Sequence, residues 1–60
     1  MTTKIELTHD SGICGYIWAF DDASVLFRVK YKGTTVVTSF PKDMDHAMHL
    51  WDICCKAMEA

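Results

Sequence analysis

Sixty residues, half of them hydrophobic and 12% aromatic, describe one small folded domain and exclude a disordered chain. The net charge of −2 excludes a globally basic binder of nucleic acid or membrane, and no apolar run reaches the ~18 residues of a spanning helix. Because a domain this short buries only about 60% of its unfolded surface, so large an apolar share implies exposed apolar surface and favours a homodimer or a protein partner.

In chain order, Lys4 to His9 (KIELTH) alternates apolar and polar residues, the pattern of a half-buried strand. His9-Asp10-Ser11-Gly12 is a turn cluster ending in glycine. Ile13 to Phe20 (ICGYIWAF) follows, uncharged and apolar on both faces, and reads as a central strand. Asp21-Asp22-Ala23-Ser24 closes it. Val25 to Tyr31 (VLFRVKY) is rich in strong strand formers, and Lys32-Gly33 suits a two-residue hairpin loop. Thr34 to Phe40 (TTVVTSF) completes a four-stranded antiparallel meander within one α+β domain, residues 1–60, with strands over about 4–9, 13–20, 25–31 and 34–40.

Loops of two or four residues pair Leu7 with Cys14, Ile5 with Tyr16, Tyr16 with Val29, Trp18 with Phe27, and Val29 with Val36. That register predicts one aromatic core face: Ile5, Leu7, Cys14, Tyr16, Trp18, Phe20, Val25, Phe27, Val29, Tyr31, Val36 and Phe40. The opposite face then carries Lys4, Glu6, Ile13, Gly15, Ile17, Ala19, Leu26, Arg28, Lys30, Thr35 and Val37.

Pro41 stops the fourth strand, and one C-terminal helix is expected over about 42–58 with Asp43 as its N-cap. Met44, Ala47, Met48, Trp51, Cys55 and Met58 recur at helical spacing and are expected to lie on the aromatic face of the sheet. Asp45, His49, Asp52, Lys56 and Glu59 gather on the far side. Between them, His46, Leu50, Ile53 and Ala57 form a second stripe that widens the apolar arc.

No motif carries chemistry. His46 and His49, with His9, Cys54 and Cys55, do not make two zinc-ligand pairs, because adjacent cysteines diverge by about 100° on a helix. Cys14 and Cys55 fall on core faces, where a thiol packs as a small hydrophobe. The pairs Asp21-Asp22 and Asp43/Asp45 are accounted for by turn and cap chemistry, and the glycines form no phosphate-cradling loop. The chain is therefore not expected to be an enzyme or to hold a metal or cofactor. Three cysteines, two of them adjacent, are a poor disulfide framework and fit a reducing cytosol; with no signal peptide, the expected location is cytoplasmic.

What remains is binding. Ile17, Leu26 and Val37 are expected as an aliphatic patch rimmed by Arg28, Lys30 and Glu6, an arrangement typical of protein interfaces. Leu50 and Ile53 add a second exposed stripe, and the uncharged fourth strand offers an edge for strand addition. In size and in its lack of a catalytic signature, the chain resembles the stand-alone small α+β proteins of phages and mobile elements. That resemblance implies an anti-defence inhibitor or adaptor binding stoichiometrically to a larger host or phage protein, or pairing with itself as a homodimer. The alternative is a nucleic-acid-binding module using Lys4, Arg28 and Lys30, against which stands the expected burial of Tyr16 and Trp18, the natural stacking groups.

Overall fold

The structure, a computed structural model, describes residues 2–59. Four strands, β1 (Thr3–Thr8), β2 (Ile13–Ala19), β3 (Val25–Tyr31) and β4 (Thr34–Ser39), form one antiparallel sheet in sequential order. A single helix, α1 (Met44–Glu59), packs across β2 and β3 on one side of it. This is the α+β meander-and-helix architecture expected from the sequence.

The turns decide which side chains share a face. At the first hairpin the His9 N–H donates to the Ile13 carbonyl at 3.1 Å and the Gly12 N–H to the His9 carbonyl at 3.0 Å, with Gly12 at φ 99°. The second repeats the geometry: the Phe20 N–H donates to the Ser24 carbonyl, the Ala23 N–H to the Phe20 carbonyl, and Ala23 sits at φ 71°. Both are three-residue loops ending in a left-handed residue, in place of the even-numbered loops expected. Asp22 Oδ1 accepts from the Ser24 backbone N–H and hydroxyl, bracing the second loop. Only Lys32-Gly33, at φ 53° and 81°, is the two-residue hairpin turn that was anticipated.

An odd loop reverses the parity of the strand that follows it, because successive side chains point to opposite faces. Two such reversals cancel at β3, so of the first three strands β1 and β3 present the expected faces and only β2 is inverted. Ile5 pairs with Ile17, Leu7 with Gly15, Gly15 with Val29 and Ile17 with Phe27. Cys14, Tyr16 and Trp18, expected in the core, lie on the face away from the helix. A β-bulge then inserts Val36 between Thr35, opposite Lys30, and Val37, opposite Val29. It turns Val37 inward and leaves Val36 and Phe40 exposed, against expectation.

The core consists of Ile13, Ile17, Val25, Phe27, Val29, Ala47 and Trp51. Phe27, Ile17 and Val29 are almost completely enclosed, and each contributes roughly 1.5–3 kcal/mol by leaving water. Trp51 reaches the sheet only because Gly15 has no side chain. A Cβ there would lie 2.6 Å from the Trp51 ring atoms Cε3 and Cζ3.

Asp43 caps the helix as expected, its Oδ1 accepting from the His46 N–H at 2.8 Å. Pro41 is buried just before the helix, outside its first turn. The inward arc of α1 is Met44, Ala47, Leu50, Trp51, Cys54 and Cys55. It is rotated from the expected stripe, so Met48 and Met58 are exposed while Leu50 packs against the core.

Two substitutions test this account. Gly15→Ala should destabilise the fold by about 1–3 kcal/mol in urea titrations, since neither the Trp51 ring nor the backbone can yield freely. Ala23→Gly should stabilise it by up to about 1 kcal/mol, because relief of the left-handed strain exceeds the added chain entropy.

Candidate functional site

The helix covers one face of the sheet, and among the described residues nothing covers the other. On that open face the inversion of β2 places Tyr16 and Trp18 two residues apart on a central strand. Their rings lie 20° from parallel with centroids 5.8 Å apart. Leu26, Arg28 and Lys30 of β3 lie beside them, and Lys4 and Glu6 of β1 flank the other side.

The cations approach the rings. Lys4 Nζ is 5.2 Å from the Tyr16 centroid and 5.7 Å from that of Trp18. Arg28 Cζ is 5.5 Å from the Trp18 centroid, and Lys30 Nζ is 5.9 Å from that of Tyr16. Attraction between cation and ring quadrupole holds each contact by about 0.5–1 kcal/mol at an exposed site. Together, Lys4, Tyr16, Trp18, Arg28 and Lys30 line a depression of about 200 Å³. Arg28 Nε is buried there with no hydrogen-bond partner. A donor left unpaired costs roughly 1–3 kcal/mol, so an acceptor that drew the guanidinium outward would relieve the penalty.

The expected aliphatic patch is not assembled. Ile17 is fully buried beneath the helix, and Val37 packs on the core beside Val29, so both lie on the side opposite Leu26. Leu26, Arg28 and Lys30 do occupy the open face. Leu50 is half-buried against the core, whereas Ile53 is 49% exposed on the helix. Sequence reasoning missed Tyr16 and Trp18 as site residues. The available signal was the small and aliphatic set Ile13, Gly15, Ile17 and Ala19 alternating with them, which fits beneath a tryptophan better than the three large rings of Tyr16, Trp18 and Phe20 do.

A second depression, of about 170 Å³ and wholly apolar, runs between β4 and the end of α1, lined by Ile13, Val29, Val36, Val37, Cys54, Ala57 and Met58. His9 is tied into the first loop, with Nδ1 2.8 Å from the Ser11 hydroxyl and Nε2 3.5 Å from Glu59. His46 and His49 are exposed, and among the described residues no three His, Cys, Asp or Glu side chains converge as metal ligands. Among the described residues, no helix is long and apolar enough to cross a membrane.

Cys14, Cys54 and Cys55 are unpaired. Burial pushes the Cys54 and Cys55 thiols above their ordinary range, and for Cys55 the neighbouring Cys54, Glu59 and Asp52 push further. Iodoacetamide should therefore alkylate the Cys54-Cys55 peptide more slowly than free cysteine at pH 7.5, with the rate still rising past the ordinary thiol range. Labelling at or above the free-cysteine rate, read by mass spectrometry, would contradict this. No protein family, curated protein or solved structure matches this chain.

Proposed function

We propose that this chain is a non-catalytic binding module for single-stranded nucleic acid, taking the strand on its open sheet face. The observation that carries the reading is the pair Tyr16 and Trp18, set on the open face among Lys4, Arg28 and Lys30. Single-strand binders combine aromatic platforms for bases with cations for phosphates, each stacked base contributing about 1–3 kcal/mol. The aromatic pair also argues for an unpaired ligand. The bases of a duplex already have their faces stacked on their neighbours, so the stacked pair of rings suits bases that are unpaired and free to unstack. The acidic balance of the whole chain does not oppose this, because Asp43, Asp45, Asp52 and Glu59 belong to the helical layer on the other side. Three unpaired thiols suit action in a reducing cytoplasm.

A fluorescein-labelled dT12 should bind in low salt, with affinity falling steeply as salt rises. A 12-base-pair duplex should bind at least tenfold more weakly. Trp18→Ala should lose about 1–3 kcal/mol of dT12 affinity while retaining the wild-type near-ultraviolet signal of Trp51. Equal binding of single strand and duplex, or an unaffected Trp18→Ala variant, would refute the reading.

A second reading, protein binding as an inhibitor or adaptor or through self-association, draws on the apolar depression beside β4 and the exposure of Val36 and Ile53. There Val36→Lys should abolish any dimer or co-purifying protein without altering dT12 affinity.

A further inference from the structure

The two flanks of the aromatic pair are not electrostatically equivalent. On the β1 side, Lys4 Nζ lies 3.1 Å from Glu6 Oε1, so a carboxylate offsets the only cation there among the described residues. On the β3 side, Arg28 and Lys30 stand on alternate positions of one strand and, among the described residues, neither joins an ion pair. Arg28 is registered opposite Tyr16, yet its guanidinium reaches along the strand to lie over the Trp18 ring. Lys30, registered opposite Cys14, reaches back to Tyr16 in the same way. Both cations therefore slant along β3 towards the next ring. Their repeat matches that of the rings, because alternate residues on neighbouring strands of a sheet advance together.

A phosphate approaching from β1 meets the Glu6 carboxylate, and one approaching from β3 meets two uncompensated cations. We propose that an unpaired nucleotide strand crosses the open face with its phosphates along β3, over Arg28 and Lys30, and two successive bases directed across Tyr16 and Trp18 towards β1. This rests on the single-strand reading above and adds to it a backbone path and a two-nucleotide repeat. In the free protein the cations lie against the rings. On binding they exchange the ring faces for phosphate oxygens, and the bases take the faces they vacate. The unpartnered Arg28 Nε favours that exchange, since the outward pose offers it an acceptor.

The test is the salt dependence of dT12 binding, by fluorescence anisotropy, for wild type, Arg28→Ala, Arg28→Lys, Lys30→Ala and the double variant Lys4→Ala/Glu6→Ala. Each phosphate contact to a single strand contributes about 0.7 to the slope of log affinity against log salt. Arg28→Ala and Lys30→Ala should each lower the slope by about that amount. Arg28→Lys should keep the slope, because the charge remains, and so controls for any loss of packing. Lys4→Ala/Glu6→Ala removes an ion pair of no net charge, so it should leave the slope unchanged whatever affinity is lost through the rings that Lys4 contacts. The reverse pattern, loss in the β1 double variant with none in the β3 variants, would overturn the path while leaving the single-strand reading intact. Uniform small losses in all variants would do the same. Failure of the wild-type protein to bind dT12 even in low salt would overturn both.

Discussion

The closest constraint in the molecule is the seat of Trp51 on Gly15. The ring lies where a Cβ would be, so β2 must offer its glycine to the helix and no other residue type fits without displacement. Everything that alternates with Gly15 follows from that choice. Ile13 and Ile17 go inward with it, and Cys14, Tyr16 and Trp18 go outward. Had β2 faced the other way, Tyr16 and Trp18 would compete with Trp51 and Phe27 for a core that one helix covers. Burying four large rings beneath sixteen helical residues would leave neither room nor partners for the Tyr16 hydroxyl and the Trp18 indole N–H.

The same choice separates the chain into two chemically distinct layers. The helical layer carries acidic residues on its solvent side, with Lys56 paired to Asp52 one turn away. Among the described residues, the open sheet face carries three cations and two aromatic rings against a single carboxylate. A neutral-looking composition thus hides a local positive field on an open aromatic face, and fields of this local kind, rather than net charge, steer a charged ligand. The cation–ring contacts hold Tyr16 and Trp18 in place on the open face.

The loops make the inversion possible. A three-residue loop needs a residue in left-handed conformation at its end, which Gly12 supplies freely and Ala23 supplies under strain. The Asp22 carboxylate, held below its usual range chiefly by the Ser24 hydroxyl and then by the Ser24 N–H, secures the second loop at the point where that strain sits. The register of the central strand is therefore fixed twice, by packing at Gly15 and by hydrogen bonds at both of its ends.

The sequence by itself determined the elements and their order: alternation marked the strands, Asp43 and the helical spacing marked α1, and Lys32-Gly33 marked the last turn. These are local properties, settled by backbone preferences within a few residues, and they were legible for that reason. It also placed Arg28, Lys30 and Leu26 correctly, because the two parity reversals cancel at β3. Only the tertiary structure decided the faces of β2 and the end of β4. A strand apolar on both sides carries no alternation to say which side is covered, and a loop of three residues reads much like one of four. The deciding quantities were the volume available under one helix and the fit of Trp51 to a glycine, neither of which is expressed in any short stretch of chain. The aromatic half of the candidate site, Tyr16 and Trp18, went unread for the same reason. It exists only on the face that the tryptophan did not take.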